Sequence, residues 1–161
     1  MNIDFILNGE DVAVSCGADV RLIDILRERF GLTGAKAGCL SGKCGACAVI
    51  LNDSVVHACL VPAFRLTGSE VITIEGFSQT DEYQDIAAGF ADANLHSCGF
   101  CDTGVTLNAG ELLEQNRRLS REEILASFGG IKCRCIDPDK LAEGIKKAVE
   151  IRQRRLYGRS T

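Results

Sequence analysis

Nine cysteines in a chain of 161 residues are the feature that most constrains this protein. In a reducing compartment disulfides are rare, and metal binding or catalysis are the usual reasons for so many thiols. Eight of the nine cysteines form two sets of four, and the two sets lie in different halves of the chain. The spacing within each set therefore decides between these uses.

Charge and hydropathy exclude several classes of protein. The net charge is -4, and the basic residues are dispersed except for a C-terminal run of Arg152, Arg154, Arg155 and Arg159. Without a basic stripe to meet phosphates, no nucleic-acid partner is expected. No apolar run approaches the roughly twenty residues that cross a bilayer, and the segment MNIDFILNGED lacks the basic region and cleavage site of a signal peptide. We expect a cytoplasmic protein without a membrane partner.

The first cysteine set has the spacing C-x4-C-x2-C-x11-C and comprises Cys39, Cys44, Cys47 and Cys59. Three ligands in one loop and a fourth after a hairpin are typical of a plant-type [2Fe-2S] ferredoxin site. Glycines at 38, 42 and 45 suit a loop that must bring backbone N–H groups close to sulfur. Zinc is the alternative, but it usually takes two separated pairs of ligands, so the spacing favours an iron–sulfur cluster.

The second set has the spacing C-x2-C-x31-C-x-C and comprises Cys98, Cys101, Cys133 and Cys135. The first pair precedes a helical segment and the second pair lies in the loop before the last one, so we expect the four thiols to meet at helix ends. This spacing is less diagnostic than the first. Judged by itself, it leaves zinc open as an alternative to a cluster.

Apolar periodicity predicts an α+β fold that begins with strands. Ile3, Phe5 and Leu7 alternate with polar residues up to an Asn8–Gly9 turn, which predicts a β-hairpin with a second strand around residues 12–14. A helix is expected from about Asp19 through Phe30, ending at Gly31. Further strands are expected at 48–51, 55–58 and 71–74.

The second half of the chain has helical periods only. Four helices are predicted, including one with a capping box formed by Ser120 and Glu123 and a last one through Leu141, Ile145 and Val149. We place the boundary near residue 76, which gives a ferredoxin-like domain over 1–76 and a helical, cluster-binding domain over 77–161. The first domain is small enough that a metal centre would add needed stability.

The stretches GCLSGKCGAC, CGFC and KCRC, in this order, resemble the small subunit of the xanthine dehydrogenase and aldehyde oxidase family of molybdenum hydroxylases. The resemblance covers nearly the whole chain. It implies a β-grasp ferredoxin-like domain followed by a four-helix bundle. It also implies that Cys98, Cys101, Cys133 and Cys135 hold the cluster nearer molybdopterin, and that Cys39, Cys44, Cys47 and Cys59 hold the one nearer flavin.

The resemblance further implies a division of labour between subunits of an oxidoreductase. This chain would relay electrons without itself binding substrate. A large partner subunit would hold molybdopterin with its molybdenum, and a medium partner subunit would hold FAD. Purines, aldehydes and N-heteroaromatic compounds are all compatible with the resemblance as substrates of such a complex.

The chain departs from the family pattern around the second set. The family commonly has QCGFCTPG, in which the glutamine contacts the pterin cofactor, whereas this chain has Ser97 in place of the glutamine and Asp102-Thr103-Gly104 after Cys101. Ser97 is the candidate pterin contact by position, with a shorter reach. The family's LCRCTGY is here KCRCIDP, a stiffer and more acidic turn.

The remaining residues that could carry chemistry have ordinary structural interpretations. Cys16 belongs to neither set and is expected in the core. His57 and His96 are expected to be structural or to lie behind the ligands, since no ligand position is vacant. Arg134, between two ligands, is equally compatible with charge compensation and with an ordinary exposed arginine. Two rival functions stay open: a free-standing two-cluster electron carrier and a zinc-stabilised interaction module.

Overall fold

The computed structural model describes residues 1–115 and 117–158. Within them, five strands form one mixed sheet, and their bounds are β1 Asn2–Leu7, β2 Glu10–Ser15, β3 Ala48–Leu51, β4 Ser54–His57 and β5 Glu70–Ile72. Six α-helices accompany the sheet, with bounds α1 Leu22–Glu28, α2 Ile74–Phe77, α3 Asp81–Asp92, α4 Asp102–Glu114, α5 Arg121–Ser127 and α6 Pro138–Tyr157. Short 3₁₀ turns cover Ala58–Leu60 and Ala63–Arg65.

The strand order in the sheet is β2-β1-β5-β3-β4. β1 runs antiparallel to β2 and parallel to β5, while β3 runs antiparallel to both β4 and β5. The turns of two tight hairpins consist of residues with positive φ. These are Asn8 and Gly9 between β1 and β2, and Asn52 and Asp53 between β3 and β4. Turns with positive φ match the right-handed twist of the two strands that they join. Both predicted hairpins are confirmed.

Three sequence predictions are wrong in detail, the first being the strand expected over 55–58, which ends at His57 because Ala58 begins a 3₁₀ turn. The strand expected over 71–74 ends at Ile72, and Ile74 begins α2. The Thr73 N–H donates to Asn8 Oδ1 at 2.8 Å, which draws the chain off the strand ladder and into a helical turn. Helix α1 ends at Glu28, short of Phe30, and past Gly31 (φ +66°) the Leu32 N–H donates back to Leu26 O at 2.9 Å.

The four helices predicted in the second half are present as α3 to α6. The capping box is confirmed: the Glu123 N–H donates to Ser120 Oγ at 3.2 Å, and the Ser120 N–H donates to Glu123 Oε2 at 2.7 Å. Helix α6 begins at Pro138, directly after Asp137, whose carboxylate caps the N-terminus of the helix. Arg159, from the predicted basic run, lies outside the described residues.

The sheet is packed on both faces. One face and α1 form a core around Ile3, Phe5 and Val49, while the helices of the second half form another that includes Ala48 of the same strand. Because successive strand side chains point to opposite faces, β3 contributes to both cores. None of the helices in the described part of the chain is long and apolar enough to cross a membrane.

Candidate metal centres

The first cysteine set begins in the loop between α1 and β3, whose backbone turns sharply around Cys39. Leu40 and Gly42 have positive φ, and the N–H groups of Ser41 and Lys43 point at Cys39 Sγ from 3.4 and 3.2 Å. These hydrogen bonds, led by the Ser41 N–H, lower the pKa of the Cys39 thiol to about 5. The loop therefore favours a thiolate at Cys39, the form that binds metals.

Cys44 lies beside Cys39, because the Cys39 N–H donates to Cys44 Sγ at 3.5 Å. Cys47 and Cys59 form a second, deeper pair. The β3–β4 hairpin brings them together, with the Ala58 N–H donating to Cys47 O at 3.0 Å, and each side chain is only 3 % exposed. Burial raises the pKa of the Cys47 thiol to about 11, and the neighbouring Cys59 and Cys44 thiols also act on it. A bound cation would reverse that preference, since metal-bound thiols lose their protons.

The second set is assembled from two loops. Cys101 is the N-cap of α4 and Cys98 stands one turn before it, while Cys133 and Cys135 lie between α5 and α6. Burial, followed by the adjacent Cys133, raises the pKa of Cys101 to about 11. The Phe100 N–H and then the Cys135 thiol lower the pKa of Cys98. The thiols thus pair as Cys98 with Cys135 and Cys101 with Cys133.

Pairing is the common feature of both sets. Among residues 1–115 and 117–158, no group of three or more His, Cys, Asp or Glu side chains is arranged to hold one metal ion. The strongest thiol–thiol interactions link Cys39 with Cys44, Cys47 with Cys59, Cys98 with Cys135, and Cys101 with Cys133, while weaker ones cross between pairs. A [2Fe-2S] core bound by four cysteines has two iron atoms to share them. Two pairs per set fit the binuclear core.

The structure brings the two sets next to each other, which the sequence did not reveal. The Cys44 thiol is near enough to Cys101 to act on its pKa. Cys44 O accepts a hydrogen bond from the Lys132 N–H at 3.1 Å, in the loop that carries the second set. The nearest signals in the sequence are the glycines beside the cysteines, which permit close backbone approach but do not say to what.

The other candidate residues lie around the sets without joining them. Ser97 is exposed, and its Oγ accepts a hydrogen bond from the Gly99 N–H at 3.3 Å. His96 and Arg134 are exposed, and His57 is half-buried at the end of β4 opposite Ala48. Cys16 is half-buried against the first core, as expected for a packing residue.

Both halves of the sequence match families defined by cluster binding. Residues 5–72 match the 2Fe-2S iron-sulfur cluster binding domain, and residues 73–146 match the [2Fe-2S] binding domain. Each matched range contains one of the two cysteine sets. The two matched ranges therefore separate the eight cysteines into the same two sets of four as the spacing in the sequence.

Individual relatives cover nearly the whole chain. The nicotinate dehydrogenase small FeS subunit of Eubacterium barkeri is 37 % identical over 150 residues, which is 93 % of this chain and 96 % of that subunit. The aldehyde oxidoreductase of Megalodesulfovibrio gigas is 34 % identical over 90 % of this chain, but this stretch is only 16 % of that protein. Equivalents of this chain thus occur both as separate subunits and within longer chains.

The fold agrees with the sequence comparison. A chain in the crystal structure of quinoline 2-oxidoreductase from Pseudomonas putida 86 superposes with a TM-score of 0.82 at 29 % identity, covering 98 % of this chain and 97 % of that one. The mixed α/β fold of one five-stranded sheet and six helices in the described residues is therefore shared with solved oxidoreductases. Together with the relatives above, it shows that the chain belongs to the small [2Fe-2S] iron–sulfur subunits of the molybdenum hydroxylase family.

Proposed function

We propose that this chain is the electron-transfer subunit of a molybdenum hydroxylase, relaying electrons from a molybdopterin centre through two [2Fe-2S] clusters to flavin in a partner subunit. The observation that carries the proposal is the presence in one fold of two adjacent sets of four cysteines, whose loops are joined by the hydrogen bond from the Lys132 N–H to Cys44 O. One set alone would suit a simple ferredoxin. Two neighbouring sets suit a chain that links two other redox centres.

We assign four sulfur ligands to each cluster. The first cluster would be held by Cys39, Cys44, Cys47 and Cys59, and the second by Cys98, Cys101, Cys133 and Cys135. When bound, the clusters would supply one-electron redox chemistry. The protein's own contribution is to place the sulfurs and to direct N–H groups at them, as Ser41 and Lys43 do at Cys39.

The proposed role is one of positioning and tuning, with catalysis left to the partners. A large subunit would bind molybdopterin, and Ser97, exposed beside Cys98, would be the residue that faces it. A medium subunit would bind FAD. We further propose the division into a β-grasp ferredoxin-like domain over 1–76 and a four-helix bundle over 77–161, and a cytoplasmic location in keeping with nine unbridged cysteines.

Metal analysis with EPR spectroscopy tests the proposal. The purified chain should contain about four iron atoms and about four labile sulfides, and dithionite reduction should produce two distinguishable S = 1/2 signals. Cys47→Ser should remove one signal and Cys133→Ser the other, while Cys16→Ser should leave both. A colourless protein with two zinc ions would overturn the proposal in favour of an interaction module. Two clusters in an active, stable monomer that binds no partner would indicate a free-standing carrier.

A further inference from the structure

Three segments of the chain meet between the two cysteine sets. These are the loop of the first set, the first turn of α4, and the loop that leads from α5 into the second set. Their closest contacts involve Gly45, Gly104 and Ile131, which we call the glycine seam. Cys44 precedes the first of these residues, and Cys101 and Cys133 stand within three positions of the other two.

At the seam the backbones touch directly. A Cβ atom on Gly104 would fall far inside the contact distance of Gly45 O, and that oxygen belongs to backbone that cannot rotate away. A Cβ on Gly45 would meet Ile131 Cγ1 at 2.9 Å and Gly130 O at 3.2 Å, and Gly45 also has a φ of +77°. Only glycine at both positions permits this approach without a shift of one segment.

Two hydrogen bonds hold the segments at this distance. The Lys132 N–H donates to Cys44 O at 3.1 Å, which ties the loop of the second set to a residue of the first. The Thr103 hydroxyl donates to Gly34 O at 2.8 Å, and Thr103 is only 5 % exposed. Breaking the Thr103 bond would leave the hydroxyl of a buried residue without this partner, which is costly, so the contact is specific.

Near Cys39, the Phe100 side chain makes a further contact between the segments that meet at the seam. A Cβ on Gly38 would lie 2.9 Å from Cys44 Sγ and 3.4 Å from Phe100 Cε1, so the Phe100 ring, which stands next to Cys101, packs close to the first loop. The first loop is therefore fixed from both α4 and the α5–α6 loop.

We infer that the glycine seam is a positioning element that sets the separation of the two cysteine sets, and with it the coupling between the two proposed clusters. This inference rests on the proposed function. Electron exchange and magnetic coupling between two centres both weaken steeply with distance. A seam of two glycines brings the sets as close as two backbones can pack, which side chains at these positions would prevent.

The test compares Gly104→Ala with Gly130→Ala in the full-length chain. Gly130 lies in the same region, but a Cβ there would meet nothing within 4 Å, so it is the matched control. Spin–spin splitting between the two reduced centres should be smaller in Gly104→Ala than in wild type and unchanged in Gly130→Ala. Hydrogen exchange of the Lys132 amide should be faster by about fivefold in Gly104→Ala, as expected when a hydrogen bond of about 1 kcal/mol is lost.

Each outcome decides the inference. Unchanged splitting in a Gly104→Ala protein with full iron content overturns it. If Gly104→Ala loses iron, Thr103→Val serves in its place, because it removes only the hydroxyl bond to Gly34 O; reduced splitting then supports the inference and unchanged splitting overturns it. Wild-type protein with two clusters but no splitting overturns the inference and leaves the proposed function standing. Wild-type protein without iron overturns both.

Discussion

Asp85 carries a carboxylate into the interior, where its charge is balanced by one arginine. Its side chain is 4 % exposed, and Arg155 from α6 donates to its two oxygens through Nη2 at 2.7 Å and Nε at 3.1 and 3.2 Å. The same guanidinium reaches Asp81 at 3.3 Å on the first turn of α3. Part of the basic C-terminal run thus joins α6 to α3.

We expect Asp85→Ala to lower the free energy of unfolding by about 2–3 kcal/mol, because it removes a buried hydrogen-bonded partner of a charged group. The measurement is urea unfolding of wild type and variant. Glu143→Gln is the matched control on α6, since the Glu143 side chain is exposed, and it should change stability by less than about 0.5 kcal/mol. Equal effects of the two substitutions would contradict the assignment of Asp85 as a buried anchor.

Ser97 tests the proposed pterin contact at the level of one side chain. Because Ser97 is exposed, we expect Ser97→Gln to be accommodated without repacking, with iron content and subunit assembly as in wild type. The longer amide should restore the reach of the family's glutamine toward the cofactor. Iron analysis and co-purification with the large subunit are the measurements. Loss of assembly in this variant would count against the contact.

At the scale of elements, the helical half depends on the close crossing of α3 and α6. A Cβ on Gly89 would lie 2.5 Å from Ala148 N and 2.6 Å from Gly144 O, both backbone atoms of α6. A Cβ on Gly144 would in turn meet Phe90 Cδ1 at 2.8 Å. Two glycines therefore let the helix backbones approach each other, at some cost in helix propensity.

Gly89→Ala should destabilise the protein by about 1–3 kcal/mol despite the better helix propensity of alanine, because the added methyl group overpacks the crossing. Thermal and urea unfolding measure the effect. Ala88→Leu adds more volume on the exposed side of the same helix and should change stability by less than about 0.5 kcal/mol. A stabilised Gly89→Ala protein would show that the helices have room to separate.

For the whole molecule, the cysteine pairs differ in depth. Cys47 and Cys59 are buried, Cys44, Cys101 and Cys133 are half-buried, and the exposed sulfur residues are Cys39, Cys98 and Cys135. Cys44 of the first set acts electrostatically on Cys101 of the second, and both residues are half-buried. Half-buried sulfurs where the sets interact and exposed sulfurs elsewhere are compatible with the proposed relay between two partner subunits.

Cys101→Ser should interrupt the proposed relay when the chain is assembled with its proposed partner subunits. We expect substrate still to reduce molybdenum but no longer to reduce the flavin, because a sulfur is lost from the pair that faces the first set. Rapid-mixing absorbance of the flavin is the measurement. Cys16→Ser removes a thiol that belongs to neither set and should leave flavin reduction at the wild-type rate. Flavin reduction at that rate in Cys101→Ser would refute the assignment.

Local signals in the sequence were reliable where short-range physics decides the outcome. Both hairpins follow from Asn-Gly and Asn-Asp pairs that accept positive φ, and the capping box follows from Ser120 and Glu123 three residues apart. The errors occurred where a distant residue intervened. Ile74 begins a helix instead of extending the strand, because Asn8, in the turn between β1 and β2, accepts the hydrogen bond of the Thr73 N–H.

The sequence by itself determined the type of most elements, α2 being an exception, and also the two cysteine sets and the family, because spacing, periodicity and turn chemistry are written along the chain. Only the tertiary structure decided how the thiols pair and that the sets adjoin, since these depend on loops far apart in sequence. The Thr103–Gly34 bond spans 69 residues, and the approach of Gly104 to Gly45 depends on where α4 packs. Long-range packing, which no local pattern encodes, sets the distance on which the proposed electron transfer depends.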